Sequence, residues 1–497
     1  MKIIFINLPI NKYDKDDISP PLGLLCIISS LSSLHVDTEL LDLNLDLIRG
    51  LVQDGSLFID YVIKNVLDKK PDLVAISSMC VNSHLGIEIC HRLKKTNKNI
   101  ITICGGPHYS LISNILHDEF GFDYVVKGEG EEQIYDIITT ISNIKGKQYR
   151  ARNKMGYPWD ALECIDINKY FEMNRMNLMN METGRGCKYN CRFCYSPAHW
   201  LHTRNYPIER VLSDISNAYR IGCKHLFFVN DNFVNDNKYV QTLCKELKLI
   251  KRKPSWSCYL TIPDLGRKII ALLSQAGCNS AYLGIDAVTG KQKAALRKNF
   301  IKNAESLNAL VTDFVQNGIT PTCAFIIDPF EWSPSENNKV YSLALKARLV
   351  GAELSMHYLT SFKELSNHRD DKQYGRVESD ELRVRMMLDC PEVVNRNELS
   401  IKYPHLFPFH SRKVHSEKLY MRGLFQIHAA QNLLTHYPFE INDIISMEGY
   451  NLIGLLNKVY SKMPDGAFKN ENMRQLKRYE REAFEEVLLK EYNFKRV

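Results

Sequence analysis

The chain has no apolar run approaching the ~18 residues that a membrane-spanning helix needs. Its first residues, MKIIFINLPINKYD, lack a basic segment followed by a long apolar one, so a secretory signal is not expected there. It also lacks a strong charge bias. The 64 Lys and Arg against 57 Asp and Glu leave +7 over 497 residues. That permits an anionic ligand, but it is not the mark of a nucleic-acid protein. No internal repeat and no low-complexity segment is present, and 45% hydrophobic with 24% charged residues is ordinary globular composition. Disorder, collagen-like structure and a small stapled scaffold are thereby excluded. At roughly 100–200 residues per domain, the length suggests about three domains. A cytoplasmic location is expected, and with it reduced thiols.

What the sequence does have is 14 cysteines. Most are scattered singly and read as small buried hydrophobes. Three fall together, at Cys187, Cys191 and Cys194. In a reducing compartment such a cluster points to a metal site rather than a disulfide.

Residues 1–145 alternate short apolar runs (Ile3–Asn7, Thr38–Asp42, Asp72–Ser77, Ile100–Cys104, Asp123–Val126) with helical patterns such as Leu22–Leu34, Ile112–Asp118 and Glu131–Ile141. This predicts an α/β domain with a doubly wound parallel sheet of flavodoxin-like size. Ligands of such sheets bind beyond the carboxyl ends of the strands. There the sequence places Ser77-Ser78, Gly105-Gly106-Pro107-His108 and Gly128-Glu129-Gly130-Glu131. Glycines at these ends let a backbone approach a ligand closely, or simply make tight turns. Residues 146–176 lack periodicity and read as a linker. Residues 177–365 carry six further β/α repeats, too few for a closed eight-stranded barrel, so an open partial barrel is expected. Residues 366–497 read as a mainly helical, charged C-terminal region.

Cys187, Cys191 and Cys194 form CxxxCxxC just after a candidate strand, in the loop that begins Thr183-Gly184-Arg185-Gly186. Thiolates suit zinc and iron–sulfur centres. A structural zinc would close with a fourth protein ligand, and the only near candidate, His199, has no common zinc spacing. Three thiolates on a [4Fe–4S] cluster leave one iron open for a chelating substrate.

CxxxCxxC with Phe193 before the last cysteine, preceded by Arg185-Gly186, in the loop after the first strand of a six-repeat unit, resembles the radical S-adenosylmethionine (SAM) superfamily. Together with Pro20-Pro21-Leu22-Gly23 and the glycine loops of the first half, the chain resembles the subgroup that carries a cobalamin-binding domain, over about residues 1–365. The resemblance implies a [4Fe–4S] cluster on the three cysteines, SAM on the open iron, and cobalamin at the edge of the first sheet. It places Phe193 near the adenine. Asn230 and Asp231 fall at the end of the second barrel strand, where the family contacts SAM. Asp286, in Gly284-Ile285-Asp286, falls near the ribose, and Cys323 to Asp328 would line the pocket. Ser77, Ser78, Gly105, Gly106, Gly128, Glu129 and Gly130 would face cobalamin. An electron donor such as flavodoxin or ferredoxin is implied as partner, with a small-molecule or peptide substrate.

Two departures stand out. The loop Asn7 to Asp17 has no histidine to ligate cobalt, and Thr360-Ser361-Phe362 replaces a Pro-Gly-Thr found in many members. His108 reads as a loop residue rather than a cobalt ligand. The expected function is C-methylation of an unactivated carbon through the 5′-deoxyadenosyl radical and methylcobalamin. A radical peptide epimerase, with Cys390 as hydrogen donor, and a metal- or cobalamin-binding sensor module remain as alternatives.

Overall fold

The computed structural model describes residues 1–10, 18–52, 57–79, 82–143, 156–200, 202–328, 332–358, 417–447, 451–464 and 473–492. Cys390 lies outside the described residues.

The first unit runs β1 (Lys2–Asn7), α1 (Leu22–Ser30), β2 (Asp37–Asp42), α2 (Leu43–Ile48), α3 (Leu57–Asp68), β3 (Leu73–Ser77), α4 (Ser83–Thr96), β4 (Ile101–Gly105), α5 (Pro107–Leu111), α6 (Ser113–Phe120), β5 (Tyr124–Val125) and α7 (Glu131–Ser142). Its five strands are all parallel, in the order β2-β1-β3-β4-β5. This is the flavodoxin-like order. Ile4, Ile6, Val74 and Ile76 pack on one face, and Ile3, Phe5, Leu73 and Ala75 on the other, because successive side chains of a strand point to opposite faces. Both faces are covered, which is why the strands read as continuous apolar runs.

Two helical readings need correction. The Leu22–Leu34 pattern breaks after Ser30 into a separate 3₁₀ turn, Ser32–Leu34. The Ser30 hydroxyl donates to the Ile27 carbonyl at 2.6 Å, offering the backbone a local alternative to the next helical turn. The Ile112–Asp118 pattern is one helix, α6, that runs on to Phe120, and a separate short helix, α5, opening with Pro107 at its first turn, precedes it.

The second unit runs α8 (Ile167–Met173), β6 (Leu178–Met181), β7 (Gly184–Arg185), α9 (Ser196–His199), β8 (Arg204–Asn205), α10 (Ile208–Arg220), β9 (His225–Phe228), α11 (Asn237–Leu249), β10 (Ser255–Leu260), α12 (Arg267–Gln275), β11 (Cys278–Asp286), α13 (Gly290–Leu296), α14 (Ala304–Gln316), β12 (Thr320–Ile327), α15 (Pro334–Val350) and β13 (Glu353–Tyr358). Six strands form one parallel sheet, β13-β12-β11-β10-β9-β6, and β7 pairs with β8 as a small antiparallel hairpin. The parallel sheet fits a partial barrel. Its outward residues, such as Trp256, Cys258, Leu283 and Phe228, are buried against the helices.

Beyond it lie α16 (Glu417–His436), α17 (Pro438–Ser446), α18 (Leu452–Lys462) and α19 (Met473–Glu491). Helix α16 covers the edge strand β13, where the Met356 N–H donates to Gln431 Oε1 at 2.9 Å. That gives part of an open sheet edge a partner. No described helix is long and apolar enough to cross a membrane.

The described part of the linker, residues 156–176, is more ordered than its aperiodic sequence suggests. Residues Trp159–Cys164 form a 3₁₀ segment and Ile167–Met173 a helix, and polar contacts fasten this stretch to both units. Toward the first sheet, the Tyr170 hydroxyl donates to the buried Asp42 carboxylate at 2.6 Å and Ser29 to Asp160 at 2.5 Å. Toward the barrel, Asp214 of α10 accepts from the Tyr157 N–H at 2.8 Å and the Trp159 indole at 2.6 Å. Replacing Asp214 with alanine leaves these donors without an acceptor. At ~1–3 kcal/mol for each, the expected loss is about 2–4 kcal/mol in chemical denaturation. A loss below about 0.5 kcal/mol would show that the linker is not fastened in this way.

Candidate functional site

The carboxyl ends of β1, β3, β4 and β5 face the β7–β8 hairpin and α9 of the second unit. Between them lies a cavity of about 270 Å³. Ser77, Gly105, Gly106, Gly128, Glu129 and Gly130 line it from the first sheet, and Glu182, Arg185, His199 and Trp200 from the barrel side. Of the residues expected to face a ligand at this edge (Ser77, Ser78, Gly105, Gly106, Gly128, Glu129 and Gly130), only Ser78 lies outside the lining. It is buried in the turn, where its hydroxyl donates to the Met79 carbonyl at 2.9 Å.

The glycines have separate reasons. Gly106 has φ +97°, and a Cβ there would come 2.8 Å from the Ser78 carbonyl. A Cβ at Gly23 would meet no atom within 4 Å, so a side chain there would intrude on open space at the cavity wall. The edge is thus a cradle kept clear of side chains. His108 is buried at the first turn of α5, next to Tyr109, and does not line the cavity.

One ion network crosses the cavity. Arg185 pairs with Glu131 at 2.7 Å, Glu182 at 2.8 Å and Glu129 at 3.3 Å. Arg204, its partner across the hairpin, donates to Glu129 at 2.9 Å. Both guanidiniums lie over the Trp200 ring. Burial works against the charge on Arg185, but Glu182 and Glu131 outweigh it and hold the residue firmly protonated. Burial likewise works against the Glu129 carboxylate, but Arg204 and Arg185 hold its pKa below the usual range. Gly184 allows the hairpin to close, since a Cβ there would stand 2.3 Å from the Arg204 carbonyl oxygen.

The three cysteines follow directly from this hairpin. Cys187, Cys191 and Cys194 are free and half-buried. The Asn235 amide donates to the Gly186 carbonyl at 2.5 Å, and the Lys188 N–H donates to Asn235 Oδ1 at 3.2 Å. Burial raises all three thiol pKa values, that of Cys194 to about 12. Among the described residues, no three His, Cys, Asp or Glu side chains converge as they stand on a metal position. The donor set still fits an iron–sulfur cluster: three thiols on one eight-residue loop, none tied up in a disulfide. His199, the one candidate for a fourth zinc ligand, is engaged by the Tyr195 hydroxyl at 2.6 Å and faces the cavity.

The remaining expected residues have definite places. Asn230 braces the base of the loop, accepting from the Thr183 N–H at 3.1 Å and donating to the Gly184 carbonyl at 2.7 Å. Asp231 stands by Cys187 and Cys194, and burial raises its carboxyl pKa. Phe193 packs against Ala287, Leu296, Ile326 and Trp332. Asp286 is ion-paired with Lys298. Cys323 is fully buried in the apolar core, so the expectation that it lines the pocket does not hold: its neighbours along β12 alternate faces and its own face meets the helices. The sequence reading did not single out Glu182, Arg204, Trp200 or Lys298. Their separation in sequence hid them, although Arg185 and Glu131 stood within quoted motifs.

Residues 181–334 match the family model of the Radical SAM superfamily, and residues 16–138 match that of the B12 binding domain. The chain thus carries a radical SAM domain preceded by a B12-binding domain. It is similar to an uncharacterized methyltransferase of Pyrococcus horikoshii, at 24% identity over 65% of this chain and 69% of the relative. It is also similar to the anaerobic magnesium-protoporphyrin IX monomethyl ester cyclase of Rubrivivax gelatinosus, at 23% identity over 63% of this chain and 61% of that one. Among solved structures, its fold resembles the cobalamin-dependent SAM radical enzyme OxsB with aqua-cobalamin bound. The TM-score is 0.65, with 14% identity over 98% of this chain and 84% of that one. The methyltransferase TsrM of Kitasatospora setae, with cobalamin and a [4Fe–4S] cluster bound, gives 0.56 with 16% identity over 72% and 74%.

Replacing Arg185 with methionine leaves Glu131 and Glu182 buried without their cation. The expected cost is about 3–5 kcal/mol in denaturation. Adding Glu131→Gln should recover part of it. Full stability of the Arg185→Met single variant would show that the network is not what joins the two units.

Proposed function

We propose that the protein is a cobalamin-dependent radical SAM enzyme that methylates an unactivated carbon of a small-molecule or peptide substrate. The observation that carries this reading is the shared cavity. The glycine edge of the first sheet and the root of the cysteine loop line one space, so groups held by each would face one another. When bound, the cluster with SAM supplies a 5′-deoxyadenosyl radical, and cobalamin supplies a methyl carrier.

The chain's own residues would hold and shield these groups. Cys187, Cys191 and Cys194 would bind the cluster and leave one iron for SAM. Asn230 fixes the loop base, Asp231 stands by Cys187 and Cys194, and Phe193 anchors the loop in an apolar cluster. Ser77, Gly105, Gly106, Gly128 and Gly130 would let a bulky ring come close to the strand ends, while Trp200 under its two arginines helps to exclude water. Cobalt would take no histidine from the loop after β1, since residues 7–17 contain none. An external one-electron donor such as flavodoxin or ferredoxin would start the chemistry.

The similarity to a relative named as a cyclase supports a second reading, radical oxidation without methyl transfer. One preparation separates the two. The full chain, produced anaerobically with cobalamin supplied, should hold about four irons and about one cobalamin. With SAM, reductant and substrate it should yield both 5′-deoxyadenosine and S-adenosylhomocysteine. Formation of 5′-deoxyadenosine without S-adenosylhomocysteine would favour the oxidative reading. A preparation that takes up iron but no cobalamin would overturn methyl transfer.

A further inference from the structure

Lys298 is a buried cation, 6% exposed, in a place where lysine is rarely found unless paired. Its ammonium is ion-paired with Asp286 and lies 5.7 Å from the centre of the Phe193 ring and 5.1 Å from that of Phe300. Each neighbour is itself held in place. Asp286 ends β11 at a register shift, with φ +57°, a left-handed conformation that a non-glycine residue adopts only when its surroundings impose it. At Gly284 a Cβ would stand 2.9 Å from the lysine nitrogen, so a side chain there would have to displace the ammonium.

The segment that carries Lys298 is also joined to the cysteine loop. The Arg192 N–H, between Cys191 and Cys194, donates to the Leu296 carbonyl at 3.1 Å. Phe193, the next residue, packs on Ala287 and Leu296. Lys298 and the loop are therefore joined, with the ammonium over the ring of Phe193, the residue before Cys194. Its positive charge acts on both Cys187 and Cys191, and the negative charge of Asp286 acts on Cys191 in the opposite sense.

We propose that Lys298 is a positioning residue whose charge, balanced by Asp286, sets the reduction potential of the cluster held by Cys187, Cys191 and Cys194. The inference rests on the cluster assignment made above. Reduction adds one electron to the cluster. A fixed cation in a poorly solvated site favours the reduced form, and a fixed anion opposes it. Lysine and aspartate therefore push the potential in opposite directions, and their pairing leaves it between two extremes. A purely structural brace would not behave in this way, because loss of either partner would disturb the loop alike.

The test is a redox titration of the full chain, reconstituted anaerobically and followed by electron paramagnetic resonance with no SAM present. Lys298→Met should move the cluster midpoint to more negative potential than wild type. Asp286→Asn should move it to more positive potential, and Lys298→Arg should stay near wild type. Shifts of one sign in both neutralised variants, or no shift in either, would overturn the proposal. If Lys298→Met fails to hold a cluster, Asp286→Asn decides alone: a positive shift supports the proposal and any other result overturns it. A wild-type chain that takes up no iron would instead sink the cluster assignment itself, which the iron count reveals before any titration.

Discussion

A buried arginine cannot stand alone, and that constraint organises this molecule. Arg185 sits two residues before the first cluster cysteine and reaches carboxylates on both sides of the cavity, Glu182 on its own side and Glu129 and Glu131 on the other. Desolvating a guanidinium is costly unless its partners are in place. The two units therefore meet in the one orientation that satisfies it. That orientation sets the carboxyl edge of the flavodoxin-like sheet against the root of the cysteine loop.

Other features reinforce the same arrangement. The described part of the linker is tied to Asp42 on one side and Asp214 on the other, which fastens it to both units. Glycines keep the sheet edge bare where the two units face each other. At the edge of the barrel, α16 covers β13, so that edge of the six-stranded sheet is packed.

Much of this was legible in the sequence. Both sheets were: the first because strands covered on two faces leave continuous apolar runs, the second because its strands alternate buried and part-buried residues between amphipathic helices. The cysteine loop was, because its three cysteines fall within eight residues of sequence. The 3₁₀ and helical linker was not, because its order comes from single polar contacts such as Tyr170 with Asp42, which leave no periodic trace. The cavity wall was only half visible. Glu129 and the glycines fall at strand ends, where a rule points to them, whereas Glu182, Trp200 and Arg204 join the site only when the β7–β8 hairpin forms. Lys298 was hidden for the same reason: only folding brings it over Phe193. Asp286 was found, but as a ligand contact, without its partner cation.

The central claim is that one cavity brings the two cofactor sites face to face. It is tested most directly by measuring magnetic coupling between a reduced cluster and Co(II) cobalamin in the same reconstituted chain. The account predicts that reducing the cluster broadens or splits the cobalt resonance. A cobalt signal identical in shape whether the cluster is oxidised or reduced would place the two groups too far apart and contradict it.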